Sequence, residues 1–210
     1  MIIMGKRGRF GKYGETKRFK RLRESRSASL APKGTTSFAP KSTRAGLSRR
    51  KAHDRDQGRP ITFRKAGPLD EAFITQLSRK VFSVFGPYDE MVPRWMMEES
   101  TVTIIACLDN RPVGFVMLGD PFNRYDLSQA VELLAIAVDP EEHRKGIGEL
   151  LLREVDKKAI EHGVRRIFLH TAAMNHSARS LFTKAGYRPW EIKGGFYPEG
   201  QDAVVMSKEP

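Results

Sequence analysis

Two titratable side chains interrupt apolar segments at positions where they could exchange protons with a substrate. Glu132 stands inside the run Ala130–Val138 (AVELLAIAV), and a carboxylate in such a strand is costly unless it faces a wet cleft. His170 ends a second predicted strand, Val164–His170, and a histidine exchanges protons near neutral pH. Both residue types suit a general base, although a solvent-facing strand end or a structural histidine has the same pattern.

A glycine-containing loop follows the first of these strands. His143–Gly148 reads HRKGIG and leads into an amphipathic helix, Gly146–His162, that stops at Gly163. Small residues let a backbone approach a ligand closely, and free amides at a helix N-terminus bind phosphate groups. Arg144 and Lys145 add positive charge. A dinucleotide-binding loop requires Gly-x-Gly-x-x-Gly after the first strand, whereas this loop follows the fourth strand and lacks the third glycine.

The elements that must position these residues alternate along the chain. Leu69–Phe85 is typical of an amphipathic helix, with Leu69, Phe73, Leu77 and Val81 on its apolar face. The order β-α-α-β-β-β-α-β-α-β-β predicts an α/β (α+β) fold, with a mixed sheet of about seven strands and helices on both faces. The predicted strands are Ile61–Ala66, Thr101–Leu108, Val113–Leu118, Ala130–Val138, Val164–His170, Tyr187–Lys193 and Ala203–Ser207; the helices are Leu69–Phe85, a short helix ending near Glu99, Gly146–His162 and Asn175–Ala185; and Asp120–Ser128 is a predicted loop.

The loop and a second block of residues resemble the GNAT superfamily of acetyl-CoA-dependent N-acetyltransferases. The family loop reads Q/R-x-x-G-x-G/A, and His143 departs from the usual Gln or Arg at its start. The second block begins at Asn175, the expected N-cap of the last helix, and ends at Gly186-Tyr187. The resemblance covers residues 61–207. It implies the GNAT fold, an N-acetyltransferase activity and acetyl-CoA as the co-substrate.

The resemblance also implies which residues hold acetyl-CoA. In the family, the loop amides bind the pyrophosphate, the fourth strand offers an amide to the acetyl oxygen and splays from the fifth, and the second block contacts the pantetheine arm. The matching residues are Ile136, Ala137, Val138, His143, Arg144, Lys145, Gly146, Ile147, Gly148, Asn175, Ser177 and Phe182. Phe182 stands where many members carry a tyrosine that protonates the departing thiolate. Either the thiolate leaves without a protein acid, or Tyr187 or Tyr197 substitutes.

The two titratable residues take matching positions within this resemblance. Glu132 lies eleven residues before His143, the spacing at which many members place a base or a water-holding polar residue. His170 lies five residues before Asn175, where some N-terminal acetyltransferases of the superfamily place a Glu or His base. We therefore expect direct attack by a primary amine, with Glu132 and His170 as the catalytic residues.

Two segments bear on which amine is acetylated. Gly195–Pro198 and the following Asp202-Ala203 are similar to RimI-like protein N-terminal acetyltransferases, in which a loop tyrosine, matched by Tyr197, helps to hold the peptide backbone. An α-amine, with a pKa of about 8, is easier to deprotonate than a lysine at about 10.4. The loop containing Tyr88 is acidic and aromatic, which could equally suit a small amine or polyamine, or ordinary packing. The favoured acceptor is a protein or peptide N-terminal α-amine, with Tyr88 and Tyr197 as substrate-binding residues.

The positive charge of the chain is concentrated in its first sixty residues. The 210 residues carry 37 basic and 25 acidic side chains, a formal net charge of +12. Residues 1–60 hold 18 basic and 4 acidic residues, whereas residues 61–210 hold 19 and 21. We expect a disordered basic arm over 1–60 and a GNAT domain over 61–210.

The basic composition of the arm suits contact with RNA, the ribosome or another polyanion. A solvated tail, a translation start placed too far upstream and an organelle transit peptide are the alternatives. A hypothesis from another class is an RNA- or ribosome-associated protein that binds acyl-CoA without turnover.

The composition also excludes several kinds of protein. A single cysteine, Cys107, excludes an intramolecular disulfide framework, and the five scattered histidines lack metal-ligand spacing. No apolar run approaches the roughly 18 residues of a membrane span, and the N-terminus lacks the apolar stretch of a secretory signal. We therefore expect a cytoplasmic enzyme with no metal and no membrane partner.

Overall fold

The computed structural model describes residues 60–119 and 129–210. The predicted basic arm and the predicted loop Asp120–Ser128 lie outside the described residues. The strands are β1 (Ile61–Lys65), β2 (Thr101–Leu108), β3 (Arg111–Gly119), β4 (Ala130–Val138), β5 (Arg166–Ala172), β6 (Arg188–Lys193) and β7 (Ala203–Lys208); the α-helices are α1 (Glu71–Phe82), α2 (Tyr88–Met96), α3 (Ile147–Glu161) and α4 (His176–Lys184).

The seven strands form one mixed sheet in the order β1-β2-β3-β4-β5-β7-β6. β4 and β5 pair in parallel, and the other neighbours are antiparallel. One apolar cluster joins the sheet to α3 and α4, and a second joins it to α1 and α2. The predicted mixed seven-stranded sheet with helices on both faces is therefore confirmed.

β4 and β5 separate partway along their length. Their pairing runs from Ala130 opposite Arg166 to Leu133 opposite Leu169 and stops there, although both strands continue. The remainder of β5 pairs with β7 as far as Ala172. The sheet consequently opens between β4 and β5, at the point where the resemblance implies that a pantetheine arm enters.

An irregularity in β4 lies at the start of this opening. Met117 of β3 faces Ala135, whereas Leu118 faces Leu133, so Leu134 is the extra residue of a bulge. Its side chain packs against Gly119, where an added Cβ would lie 2.7 Å from Leu134 Cδ1. A bulge bends a strand and changes the direction of its side chains. Leu134 and Ala135 thus both belong to the cluster beneath α1 and α2.

Two sequence predictions about these elements are wrong in detail. Leu69 is 98% exposed and does not join the apolar face of α1, because it lies in a 3-10 turn, Pro68–Asp70, that precedes the helix. His170 does not end its strand, because pairing with β7 carries β5 on to Ala172. Within the part of the chain that is described, no helix is long and apolar enough to cross a bilayer.

Candidate active site

Glu132 and His170 contact each other directly. Glu132 Oε1 lies 2.8 Å from His170 Nδ1, and the two side chains are 5% and 4% exposed. The contact follows from the parallel register, which places Glu132 opposite Phe168, two residues before His170 on the same face of β5. The two candidate bases proposed from the sequence therefore form a single pair.

Two residues from the C-terminal part of the sheet complete the surroundings of His170. Lys193 Nζ, at the end of β6, lies 3.1 Å from His170 Nε2. The ring of Phe196 stacks on the imidazole, with centroids 4.5 Å apart and planes 5° apart. Sequence reasoning missed Lys193, because a lysine at the end of an exposed strand carries no sign of the residue that it will contact.

The loop after β4 leads into the N-terminus of α3. Gly146 has a left-handed backbone (φ +78°) and caps α3 without any side-chain hydrogen bond to the cap. Leu150 N donates to Gly146 O, so the amides of Ile147, Gly148 and Glu149 precede the first hydrogen bond of the helix. A Cβ added at Gly146 would meet no atom within 4 Å. The space beside Gly146 is therefore open, and amides at a helix N-terminus are the kind of donor that the pyrophosphate implied by the resemblance would need.

The buried Glu142 stabilises this loop through two ion pairs. Its carboxylate accepts from Arg111 at 2.6 Å and from Lys145 at 2.7 Å, and the residue is buried. Lys145 and Arg111 therefore share one carboxylate, which leaves this cluster with a net positive charge. Arg144 is exposed, with a left-handed backbone (φ 63°). The loop thus has an internal ion-pair support that the sequence pattern did not indicate.

Glu142 is expected to stabilise the fold in a pH-dependent way. The Lys145 ammonium and then the Arg111 guanidinium hold the pKa of the Glu142 carboxyl below its ordinary value. A lowered folded pKa gives stability that is fully present above the ordinary value of about 4.3 and is lost as pH falls through the folded value. Urea unfolding should therefore show Glu142→Gln less stable than wild type at neutral pH, with the difference shrinking under acid. A constant difference at all pH values would contradict this ion-pair account.

The loop also contacts α1, which lies on the opposite face of the sheet. Lys80 of α1 donates to Asp139 Oδ1 at 2.8 Å, and Asp139 Oδ1 accepts from Glu141 N at 3.1 Å. The Lys80 ammonium holds the pKa of the Asp139 carboxyl below its ordinary value. Lys80 Nζ also lies 3.6 Å from Glu141 Oε1, so two ion pairs connect α1 with the start of the loop.

The second sequence block forms the start and the buried face of α4. Asn175 is the N-cap, as predicted, and its side chain accepts from Ala178 N at 3.1 Å. Ser177 lies exposed in the first turn, and Phe182 is fully buried against Tyr187. Roles for Asn175, Ser177 and Phe182 in binding pantetheine remain predictions.

Two loops meet on the side of α1 and α2, next to the His170 pair. Tyr197 packs against Phe85 with ring centroids 5.5 Å apart and against Phe196 at 5.2 Å. Gly86, with φ +133°, fits so closely that an added Cβ would lie 2.9 Å from Pro198 Cγ. Gln201 also donates to the Val84 carbonyl at 3.0 Å. The predicted substrate residue Tyr197 thus lies where the two loops pack against each other.

Tyr88, the other predicted substrate residue, lies deeper. It is 2% exposed and packs edge-on against Trp95, with centroids 6.2 Å apart. Burial raises the pKa of Tyr88 to about 12. Its position is the one expected for core packing, and direct contact with an acceptor remains a prediction.

Comparisons with known proteins agree with this geometry. The chain matches the acetyltransferase (GNAT) family over residues 72–187. An N-alpha-acetyltransferase of Saccharolobus solfataricus is 28% identical over 163 residues, which cover 74% of this chain and 96% of that protein.

Two solved structures share the fold. The ribosomal-protein-S18-alanine N-acetyltransferase from Escherichia coli superposes with a TM-score of 0.62 at 20% identity, covering 71% of this chain and 94% of that one. Arabidopsis thaliana NAA60, solved in complex with acetyl-CoA, has a TM-score of 0.61 at 23% identity, covering 71% and 98%. With the family match over more than half of the sequence, this chain belongs to the GNAT family and is an N-acetyltransferase.

Proposed function

We propose that the protein transfers an acetyl group from acetyl-CoA to the N-terminal α-amine of a protein or peptide, with the Glu132–His170 pair as general base. The observation that carries the proposal is the buried 2.8 Å contact between these residues beside the opening of the sheet. A carboxylate that accepts from Nδ1 leaves Nε2 to receive a proton, and it stabilises the imidazolium that results.

The reaction needs an unprotonated amine next to the thioester. Bound acetyl-CoA would supply the acetyl thioester, with its pyrophosphate at the loop 143–148 and the amides that begin α3, and its pantetheine arm between β4 and β5. His170 Nε2 takes a proton from the acceptor ammonium. A carbon–nitrogen bond then forms and the carbon–sulfur bond breaks. The nitrogen gives up its second proton, the thiolate takes up one proton and leaves as the coenzyme A thiol, and His170 releases the other proton to solvent.

Of the amides at Ile136, Ala137 and Val138, we assign those of Ile136 and Val138 to stabilising the charge that develops on the acetyl oxygen. Asp139 N donates to Val113 O on β3, so strand alternation turns the Ala137 amide toward β3 as well.

The departing thiolate does not require Tyr187. This side chain is 1% exposed and packs between Phe182 and the Lys208 ammonium, 4.7 Å from its ring centroid. Burial raises the pKa of Tyr187 well above its ordinary value, and the Asp156 carboxylate raises it further by a smaller amount. A tyrosine with a raised pKa gives up its proton less readily, whereas a thiol of ordinary pKa, about 8.5, is a fair leaving group.

Tyr187→Phe is accordingly expected to leave kcat within about twofold of wild type. Among the described residues, the Tyr187 hydroxyl has no hydrogen-bond partner, so its loss should also leave the free energy of unfolding unchanged or raise it. Steady-state kinetics and urea unfolding of the variant check both statements. A fall in kcat of a hundredfold would identify Tyr187 as the acid after all.

An α-amine is favoured as the acceptor on two grounds. The Saccharolobus solfataricus relative, matched over 96% of its length, is an N-alpha-acetyltransferase. In this chain, Phe196 stacks on His170 and Tyr197 packs against Phe196, in the segment where the RimI-like resemblance implies that a peptide backbone is held.

A comparison of acceptors tests the proposed substrate class. Coenzyme A release is measured with a panel of peptides that have free N-termini, with the same peptides formylated at the N-terminus, and with polyamines. We expect turnover with the free peptides and none with the formylated ones. Faster turnover with polyamines would favour the small-amine alternative, and acetyl-CoA binding without release on any acceptor would favour a binding protein.

The surplus of positive charge in residues 1–60 supports a further part of the proposal. We assign these residues to delivery of the enzyme to a polyanion such as ribosomal RNA, and residues 61–210 to catalysis. RNA binding should weaken steeply with salt and disappear when residues 1–60 are deleted, while acetyl transfer to a free peptide persists. Equal RNA affinity of the full chain and the deletion variant would contradict this assignment.

A further inference from the structure

Lys193 contacts His170, yet the reaction above gives it no part. An ammonium group has three hydrogen-bond donors and no acceptor, so at 3.1 Å it donates to His170 Nε2. The carboxylate of Glu132 can only accept, so the hydrogen on Nδ1 lies between Nδ1 and Glu132. The two neighbours therefore select one neutral tautomer of the imidazole, with its lone pair on Nε2.

The three groups form a row in which charge is balanced. Glu132 and His170 are almost fully buried, so water screens their charges poorly. The negative Glu132 and the positive Lys193 lie at opposite ends of a neutral ring. Without the ammonium, the buried carboxylate would favour an imidazolium, which has no lone pair and cannot receive a proton.

Other described contacts of His170 carry no charge. Phe196 stacks on one face of the imidazole, and Phe168 meets the ring edge-on with centroids 6.3 Å apart. The partner of His170 on β7 is Val205. Among these contacts, Glu132 from β4 and Lys193 from β6 are the groups that carry charge.

An acceptor amine has the same chemistry as the end of the Lys193 side chain. Both are primary ammonium groups at neutral pH, and the single lone pair of Nε2 accepts from one of them at a time. Phe196 lines the same place, with its ring centroid 5.7 Å from Lys193 Nζ, and an aromatic face attracts a cation of either origin. The position beside Nε2 thus already holds the kind of group that the reaction must bring there.

We propose that Lys193 is a positioning residue whose ammonium occupies the acceptor's place at His170 Nε2 until a substrate amine displaces it. In the acceptor-free enzyme it keeps His170 neutral. The incoming ammonium replaces it with equal charge and gives a proton to Nε2. A neutral amine then lies beside a Glu132–imidazolium ion pair. Displacement is part of the step, because a retained Lys193 would place a second cation at hydrogen-bond distance from the imidazolium.

Kinetics of Lys193→Met test this role, with Lys193→Arg as the conservative variant and Lys184→Met, on the exposed face of α4, as the control of equal charge change. Between about pH 6 and about pH 10, we expect the acidic limb of kcat/KM for Lys193→Met to move up by about one pH unit. In alkaline solution the KM of Lys193→Met for the acceptor should fall about threefold, because the Lys193 ammonium no longer competes for His170 Nε2. The Arg variant and the control should keep the wild-type profile.

An acceptor KM for Lys193→Met that stays the same or rises, or an unmoved acidic limb, overturns the proposal. Lys193→Gln also removes the charge of Lys193. It replaces Lys193→Met in the same measurements if the Met variant fails to fold.

The proposal rests on the proposed function, so a readout that does not depend on turnover keeps the two apart. In the acceptor-free protein, the imidazole nitrogens of His170 are observed by ¹⁵N NMR. We expect hydrogen on Nδ1 alone in wild type and on both nitrogens in Lys193→Met at neutral pH. That result in a protein that acetylates no amine would refute the function and leave the role of Lys193 standing. Identical spectra of the two proteins would overturn that role.

Discussion

Replacement of His170 by Ala is expected to lower kcat by about 10²–10⁴-fold, the usual contribution of a positioned general base. In the proposed mechanism the acceptor amine is protonated at neutral pH, and the buried His170 removes its proton. Glu132→Gln should reduce kcat through the same step, because a neutral amide stabilises the imidazolium less than a carboxylate does. Initial rates of coenzyme A release at saturating acetyl-CoA measure both effects.

The double variant separates a coupled pair from two independent groups. Residues that act as a unit lose most of the rate when either is removed. We therefore expect Glu132→Ala/His170→Ala to be little slower than His170→Ala. His162→Ala at the end of α3 and Glu191→Gln on exposed β6 serve as controls and should keep wild-type rates. Unchanged turnover in the double variant would remove the pair from the mechanism.

Gly114→Ala is expected to destabilise the protein by about 1–3 kcal/mol, the usual cost of overpacking. Gly114 pairs with Val138, and a Cβ at this position would lie 2.7 Å from the Ala137 carbonyl oxygen and 3.3 Å from Val138 Cα. These contacts are with backbone atoms, so β3 and β4 must move apart. The displaced segment carries the amides proposed to face the acetyl group, so the KM for acetyl-CoA should also rise.

Gly67→Ala is the matched control for this substitution. Gly67 has an extended backbone (φ −128°), and an added Cβ would meet no atom within 4 Å. The free energy of unfolding in urea and the KM for acetyl-CoA of this variant should therefore be close to those of wild type. If Gly114→Ala were as stable as Gly67→Ala and bound acetyl-CoA equally well, the close approach of β3 to β4 would not matter for the site.

The sequence predicts the fold well because its strands and helices have clear periodicity and clear ends. β4 is predicted with the bounds that are observed, since its apolar run stops at Asp139-Pro140. Leu69 is the exception, because an apolar residue just before a helix fits the periodic pattern whether or not the helix has begun. Periodicity reports the faces of elements and is weakest at their ends.

The candidate site is only half predictable, because its contacts depend on strand order and register. Glu132 and His170 are each conspicuous in the sequence, yet their pairing requires β4 and β5 to be parallel neighbours. Lys193 reaches the same histidine because β7 lies between β5 and β6. Such neighbours are 38 and 23 residues from His170 in sequence, and no local pattern brings them together.

The most direct test of the central claim is to locate the acetyl group on a peptide that offers both kinds of amine. A peptide with a free N-terminus and an internal lysine is incubated with acetyl-CoA and the full chain, and the product is sequenced by tandem mass spectrometry. Transfer to an N-terminal α-amine by the Glu132–His170 pair predicts acetylation at the N-terminus, absent with the double variant. Acetylation at the lysine, or N-terminal acetylation that persists at full rate in the double variant, would contradict the account.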